Sequence, residues 1–265
     1  MNNRILGLLA ILFMGSLSGC STTQSPTGRS QMLLFSPEQI NQMGTASFEQ
    51  IKAKEKQSQD KAASAYVACV AQRITSLLPQ QHWQWVLFDS DQVNAFALPG
   101  GHIGVYTGLL KVANNEDQLA TVIGHEIAHV LAQHGNEQAS RAQLSNTGMQ
   151  LAGAALGMGQ IANADLYMAA LGLGVQVGYI LPYGRAQESE ADVMGLELMA
   201  RAGFDPRAGV TLWQNMAKAG GSQGPELLST HPSNENRIAQ LRDLQAQMMP
   251  LYQASKGRFS SCESP

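Results

Sequence analysis

The stretch His125-Glu126-Ile127-Ala128-His129 decides the fold, and it lies inside a longer apolar segment from about 115 to 135. Asn115 is a residue type that caps helices, and Gly135 is expected to end this one. Positions four apart lie about 40° apart around a helix, so both imidazoles can reach one metal ion. Glu126 points to the side, where it can contact a water but not the metal. The HExxH pattern therefore predicts a zinc site with a glutamate base.

The residues around the motif are apolar on nearly every helix face, which predicts a buried helix: Leu119, Val122, Ile123, Ile127, Val130 and Leu131. Imidazoles in such a helix need polar partners, and a metal ion supplies them. His134 follows nine positions after His125, about 180° around a continuous helix. We therefore expect His134 to be a structural histidine and not a metal ligand.

A zinc hydrolase keeps three protein ligands and one open position, so a third ligand must come from another segment. The acidic stretch 185–192 opens a predicted helix that runs to about Ala202. Glu188 and Asp192 share one face of that helix, whereas Glu190 should face away. One of the two carboxylates is expected to bind zinc and the other to accept the free N–H of a ligating histidine. The alternative is an acidic run that forms a solvated helix face.

Between about residues 83 and 110 the apolar pattern becomes typical of strands, and the predicted strands are Trp85–Phe88, Ala95–Leu98 and Ile103–Tyr106. Pro99-Gly100-Gly101 is a turn, so the last two strands should form a hairpin. Helices are expected after the capping residue Ser36, over about Lys61–Leu78, and from Asn115 almost to the end. The sequence thus predicts a mainly helical α+β fold, a zincin-like catalytic domain with a small antiparallel sheet beside the HExxH helix.

Composition excludes two broad classes of protein. The 265 residues are 44% hydrophobic and 14% charged with a net charge of −3, which is typical of a globular chain and excludes disorder as the dominant state. No basic face is apparent, so we expect no nucleic-acid partner. Residues 148–181 are rich in small and apolar residues, which indicates closely packed helices; the alternative is an element that dips into a membrane.

The N-terminus resembles a bacterial lipoprotein signal. An apolar run over Ile5–Phe13 is followed by Leu17-Ser18-Gly19-Cys20, which predicts removal of residues 1–19 and acylation of Cys20. Ser21 favours the outer membrane in such lipoproteins. Residues 20–35 are then a lipidated tether, and the acyl chains supply the membrane affinity. An ordinary signal peptide with an incidental cysteine is the alternative.

The remaining cysteines, Cys69 and Cys262, form an even pair in a compartment that permits disulfides. We expect a bridge that joins the end of the chain to an early helix. Two reduced cysteines, one buried and one in a frayed tail, are the alternative.

HEIAH at 125–129 together with R-x-x-E-x-x-x-D at 185–192 resembles the gluzincin peptidases that include the CAAX prenyl protease and the mitochondrial inner-membrane stress protease. The segments 94–101, 105–110 and 230–232, with Arg237, are also similar to that family, and the likeness covers roughly residues 30–250. The lipoprotein signal makes the chain most similar to the periplasmic lipoprotein branch of Gram-negative bacteria. The resemblance implies Glu188, not Glu190, as the third zinc ligand.

These expectations give a mechanism. His125, His129 and Glu188 hold one Zn²⁺, which activates a water, and Glu126 moves the proton from that water to the leaving amine. His231 donates to the oxyanion, or, as the resemblance suggests, it caps the zinc and keeps the enzyme latent; an uninvolved loop histidine is the remaining alternative. Arg237 is expected to anchor the His231 loop through Asp192.

The strand around residues 94–98 is expected to bind the substrate backbone by strand addition, through Asn94, Ala95, Phe96 and Ala97. Such recognition tolerates many sequences, which favours unfolded or misassembled envelope proteins as substrates. The predicted boundaries are a peptidase domain over 36–252 and a C-terminal tail over 253–265.

The predicted protein is an envelope zinc endopeptidase for quality control, lipid-anchored to the outer membrane and facing the periplasm. A zinc-containing assembly factor for outer-membrane proteins, associated with their assembly machinery and with little proteolysis, is one alternative. A lipoprotein with a purely structural zinc site is another.

Overall fold

The computed structural model of the chain describes residues 22–79, 82–155, 183–219, 226–231 and 235–265. The predicted signal peptide, Cys20 and most of the stretch 148–181 lie outside these residues. The described strands are β1 (Thr22–Gln24), β2 (Ser30–Met32), β3 (Gln84–Phe88), β4 (Ala95–Leu98) and β5 (His102–Tyr106). The described helices are α1 (Pro37–Lys54), α2 (Lys61–Thr75), α3 (Thr107–Leu110), α4 (Glu116–Leu131), α5 (His134–Ala155), α6 (Arg185–Arg201), α7 (Ala208–Ala219), α8 (Glu226–Thr230) and α9 (Glu235–Ser255).

The larger sheet has the strand order β3-β5-β4. β4 and β5 form the expected antiparallel hairpin, with Ala95 opposite Val105, and the turn uses Gly100 and Gly101 at φ values of 92° and 85°. β3 joins the other side of β5 in parallel, so the sheet is mixed where an antiparallel one was expected. Among the described strands β4 has a neighbour on one side only, and this leaves its free edge toward α4.

Helix α4 carries the HExxH motif through the centre of the molecule. Its face toward the sheet and its face toward α6 are both buried, as the apolar flanks predicted. Helix α6 crosses α4 at Gly195, where a Cβ atom would lie 2.8 Å from the backbone nitrogen of His125. Only glycine permits this separation, and it brings the carboxylates of α6 within reach of the histidines of α4.

Two helix boundaries differ from the sequence prediction. Helix α2 ends at Thr75, before the expected Leu78, and Leu77 is exposed. Helix α4 ends at Leu131 because Gln133 adopts a left-handed backbone conformation with φ of 56°. Gly135, expected to close α4, lies instead inside the first turn of α5.

Residues 22–32, expected to belong to a flexible tether, form a hairpin. β1 pairs with β2 from Thr22 opposite Met32 to Gln24 opposite Ser30. Ser25 and Gln31 are buried, and the backbone N–H of Leu34 donates to Ser140 Oγ of α5. The hairpin docks on the domain through polar contacts, which an apolar pattern does not reveal.

The C-terminus is also tied to the domain. A disulfide joins Cys69 of α2 to Cys262, with the Cα atoms 5.8 Å apart. Helix α9 runs to Ser255, so the proposed boundary between domain and tail at 252 falls inside it. In the part of the chain that the structure describes, no helix has the length and apolar character needed to cross a bilayer.

Candidate metal centre

Four buried side chains from three elements converge beside α4. His125 and His129 come from α4, Glu188 from α6 and His231 from the end of α8, and one ligand atom of each lies within 4.8 Å of all the others. His125 Nε2 is 3.0 Å from His129 Nε2 and 3.2 Å from His231 Nδ1. Glu188 Oε1 is 3.4 Å from His129 Nε2 and 2.9 Å from His231 Nδ1. The structure thus brings together the three residues predicted as ligands and adds His231 to them.

The cluster fits a zinc ion. Metal–nitrogen bonds of about 2.0–2.1 Å in a tetrahedron place the ligand atoms about 3.3–3.4 Å apart, close to the separations observed. Burial raises the pKa of Glu188, but His231, His125 and His129 together lower it by more, so this carboxylate stays ionised as a ligand must. Three imidazoles and one carboxylate, all desolvated, are a typical zinc donor set.

Glu126 lies beside the ligand group and outside it. Its Oε1 atom is 3.3 Å from His231 Nε2, and the carboxylate accepts a hydrogen bond from the backbone N–H of Ala97 on the free edge of β4. Burial raises the pKa of Glu126 above its ordinary value. A raised pKa makes this carboxylate a better proton acceptor than an ordinary glutamate, as a general base requires.

Asp192 and Arg237 are buried and contact the cluster from outside the ligand group. Asp192 Oδ1 lies 3.1 Å from His125 Nδ1, and Arg237 donates to both Asp192 oxygens at 2.8 Å. Arg237 also lies 2.7 Å from Glu188 Oε2 and donates to the backbone oxygen of His231 at 3.4 Å. This is the contact between Arg237 and Asp192 that the sequence suggested, and it orients His125, Glu188 and the His231 segment together.

The other outer contacts of the cluster were not foreseen. His134 is fully buried, and its Nδ1 lies 2.8 Å from His129 Nδ1. The prediction that His134 is not a ligand agrees with its place outside the cluster, but the angle used for it was wrong, because the break at Gln133 turns His134 back toward His129. Tyr183 stacks on the His129 ring with centroids 3.9 Å apart.

Glu190 faces away from the ligand cluster, as its position on α6 predicted, but it is buried and not solvated. Its carboxylate accepts from Thr27 and Arg29 and lies 3.1 Å from His134 Nε2. The alternative of an acidic run on a solvated face is therefore wrong for Glu188, Glu190 and Asp192. No pattern in the sequence pairs Arg29 with Glu190, 161 positions away, so the contact of Arg29 with this site was not predictable.

The four residues predicted to bind substrate lie in different environments. Ala95 and Ala97 face α4, whereas the Phe96 side chain packs into a separate apolar cluster against the opposite face of the sheet. Asn94 is buried, and its side chain accepts from the backbone N–H of Ala95. Phe96 is therefore a core residue, and the contact between this strand and Glu126 is made by the backbone N–H of Ala97.

A cleft of about 260 Å³ adjoins the cluster between α1, β4 and the start of α5. The lining of the cleft is mixed. His129, Asn41, Gln133 and Asn136 contribute polar groups, and Ile40, Met43, Leu98, Val130 and Ala139 contribute apolar ones. The cleft lies along the same strand edge as Glu126, so a chain bound there can place a side chain in it.

A buried HExxH helix, a carboxylate from a neighbouring helix and a glutamate beside the ligands define a zinc metallopeptidase of the gluzincin type. Residues 57–245 match the model of peptidase family M48, and the chain belongs to that family. M48 peptidases use zinc, in agreement with the ligand group found here.

Named relatives agree with this family. The chain is 37% identical over 183 residues to the mitochondrial metalloendopeptidase OMA1 of Schizosaccharomyces pombe, a match that covers 67% of this chain and 52% of the relative. It is 30% identical over 272 residues to the beta-barrel assembly-enhancing protease of Escherichia coli strain K12, covering 97% of this chain and 55% of the relative. The chain spans about half the length of these relatives.

Proposed function

We propose that this protein is a zinc-dependent endopeptidase of the bacterial cell envelope that hydrolyses unfolded or misassembled envelope proteins. The observation that carries the proposal is the position of Glu126, which is buried beside the ligand group, outside it, and in contact with the free edge of β4. A site that only stabilised the fold would not need a second buried carboxylate there.

His125, His129 and Glu188 would hold the zinc ion. When bound, zinc polarises the scissile carbonyl and favours ionisation of water. Glu126 accepts the proton of the attacking water and returns it to the leaving amine, a transfer helped by the raised pKa of this carboxylate. Asp192 and Arg237 keep His125 and Glu188 oriented during the reaction.

The position of His231 within the ligand group favours a latent resting state of the enzyme over a permanent role of His231 as oxyanion donor. Its Nδ1 atom takes a place within the ligand group, where the open position of an active zinc hydrolase is expected. The other three ligands belong to helices of 16 and 17 residues, whereas His231 follows the five-residue helix α8. His231 is therefore the ligand that we expect to leave when substrate binds, and a permanently structural zinc site is the less favoured reading.

Substrate recognition through the edge of β4 explains the expected breadth of specificity. Backbone hydrogen bonds to a strand edge require an extended segment but no particular sequence, so unfolded chains fit best. We expect the adjoining cleft, with its mixed lining, to accept a side chain of the bound segment. Folded proteins would be poor substrates because their backbones are already paired.

The location and partners that we propose rest on the N-terminal pattern and on the names of the relatives. We propose acylation of Cys20 and anchorage to the outer membrane, facing the periplasm. Fractionation of cells that express the chain, compared with Cys20→Ser, tests this: loss of membrane association in the variant is expected, and unchanged association would contradict it. The words assembly-enhancing in the name of the Escherichia coli relative are the ground for the second candidate. In that candidate the chain is an assembly factor that associates with outer-membrane assembly machinery and cuts little.

Casein cleavage by zinc-loaded wild type, Glu126→Gln and His231→Ala distinguishes a latent peptidase from an assembly factor. A latent peptidase predicts weak cleavage by wild type, faster cleavage by His231→Ala and none by Glu126→Gln. An assembly factor predicts no cleavage by any of the three. Cleavage by Glu126→Gln at the wild-type rate would contradict the proposed mechanism.

A further inference from the structure

A chain of polar contacts runs from the N-terminal hairpin to the ligand His129. Arg29 Nε donates to Glu190 Oε2 at 2.8 Å, the same oxygen lies 3.1 Å from His134 Nε2, and His134 Nδ1 lies 2.8 Å from His129 Nδ1. We propose that Arg29, Glu190 and His134 are positioning residues for zinc, so that the N-terminal hairpin is part of the metal centre. The inference rests on the assignment of His129 as a zinc ligand.

The protons in this chain can be placed in one consistent way. His129 presents Nε2 to the ligand cluster, so a neutral His129 that binds metal carries its proton on Nδ1. His134 Nδ1 is the acceptor of that proton, which leaves the His134 proton on Nε2. Glu190 then accepts from His134 Nε2. Each donor meets one acceptor, and the carboxylate fixes the tautomer of both rings.

Arg29 is the cation at the end of this series of contacts, and it pairs with two buried carboxylates. The side chains of Glu190 and Glu137 are each 2% exposed, and Arg29 contacts both at 2.8 Å. Glu137 in turn accepts from Gln187 of α6, the residue before Glu188. Removal of Arg29 would leave two buried carboxylates without the cation that both contact. Unpaired charges in a desolvated site destabilise the local structure.

His125 and His129 are supported in different ways. His125 lies directly beside the carboxylate of Asp192, on the same helix as Glu188. On its Nδ1 side His129 reaches a carboxylate through His134. That carboxylate is held by Arg29, which precedes the family match over 57–245. The hairpin therefore contributes to the ligand geometry from outside the segment that defines the family.

Two substitutions at His134 test the chain with matched geometry. The amide of His134→Asn lies where Nδ1 was, next to His129, whereas the amide of His134→Gln lies where Nε2 was, next to Glu190. We expect His134→Gln, which removes the acceptor next to His129, to bind zinc ~10–100-fold more weakly than wild type. His134→Asn keeps that acceptor but loses the contact with Glu190, so we expect it to bind zinc ~3–10-fold more weakly. Competition with a chromophoric chelator measures the affinity, and the visible spectrum of the Co²⁺ form reports the ligand geometry. Equal affinities and spectra for the two variants would overturn the proposal.

Arg29→Gln and Arg141→Gln form the second test. Both arginines pair with Glu137, but only Arg29 also contacts Glu190. Zinc affinity should fall ~10-fold or more in Arg29→Gln and stay within about twofold in Arg141→Gln. An equal loss of zinc affinity in both arginine variants would contradict the proposal. If Arg29→Gln does not fold, the comparison of His134→Asn with His134→Gln tests the proposal instead. Glu188→Gln is measured in parallel: retention of zinc there would refute the ligand assignment itself, not the hairpin.

Discussion

Gly195→Ala tests whether the close crossing of α4 and α6 determines the metal site. A Cβ atom at Gly195 would lie 2.8 Å from the backbone nitrogen of His125, whereas ordinary contacts begin at 3.4 Å, so the helices must separate by about 0.6 Å. The neighbouring atoms belong to the backbone and cannot rotate away. The separation moves Glu188 and Asp192 on α6 away from His125 and His129 on α4.

Two energy terms oppose each other in this variant. Alanine is favoured over glycine in a helix by about 1 kcal/mol, and overpacking costs about 1–3 kcal/mol, so the net loss of stability is about 0–2 kcal/mol. Zinc affinity has no such compensation, because ligands on both helices are displaced. We expect zinc binding to weaken ~10–100-fold, the range seen when the support of metal ligands is disturbed.

Urea unfolding of the zinc-free protein measures the first quantity, and chelator competition measures the second. Gly135→Ala is the matched control, because a Cβ there meets only Pro99 Cγ at 3.8 Å, an ordinary contact. The free energy of unfolding of Gly135→Ala should rise by up to about 1 kcal/mol, and its zinc affinity should equal that of wild type. If Gly195→Ala behaves like Gly135→Ala in both measurements, the reasoning on the helix crossing is refuted.

Two further predictions concern stability. Cys262→Ser opens a disulfide that spans 193 positions, and the loop-entropy model gives a loss of up to about 5 kcal/mol in the free energy of unfolding, measured with urea; a loss below about 1 kcal/mol would contradict that model here. Burial raises the pKa of Glu190, but Ser25, Thr27, Arg29 and His134 lower it by more, from 4.5 to about 2. Its stabilising contribution is therefore full above pH 4.5 and is lost as the pH falls toward 2, so the unfolding free energy of Glu190→Gln should depend less on pH in that window than that of wild type. Parallel pH profiles of the two proteins would contradict this assignment.

The parts of the site that follow a regular period could be predicted from the sequence. The separation of His125 and His129 by one helical turn, and of Glu188 and Asp192 by another, specifies which side chains share a face. The alternation in β4 and β5 with two glycines between them specifies a hairpin. In each case local geometry decides the result, and the structure places these elements as expected.

The features of the fold and site that the sequence did not predict depend on interruptions of the helical period or on contacts between residues far apart in the sequence. The helical angle for His134 failed because Gln133, a residue type with no marked preference for a left-handed conformation, ends the helix. The parallel pairing of β3 with β5 depends on how the chain crosses the sheet, which the strand patterns do not specify. Arg29 belongs to a polar hairpin with the composition of a linker, and its burial requires partners on α5 and α6.

Zinc content in Glu126→Gln and Glu188→Gln distinguishes the catalytic base from the metal ligand. Both variants replace a buried carboxylate with an amide of the same shape, one beside the ligand group and one within it. We expect both variants to lose peptide hydrolysis, Glu126→Gln to retain one zinc per chain after dialysis, and Glu188→Gln to lose it. Full zinc content in Glu188→Gln, or equal loss from both variants, would contradict the separation of metal ligand from catalytic base.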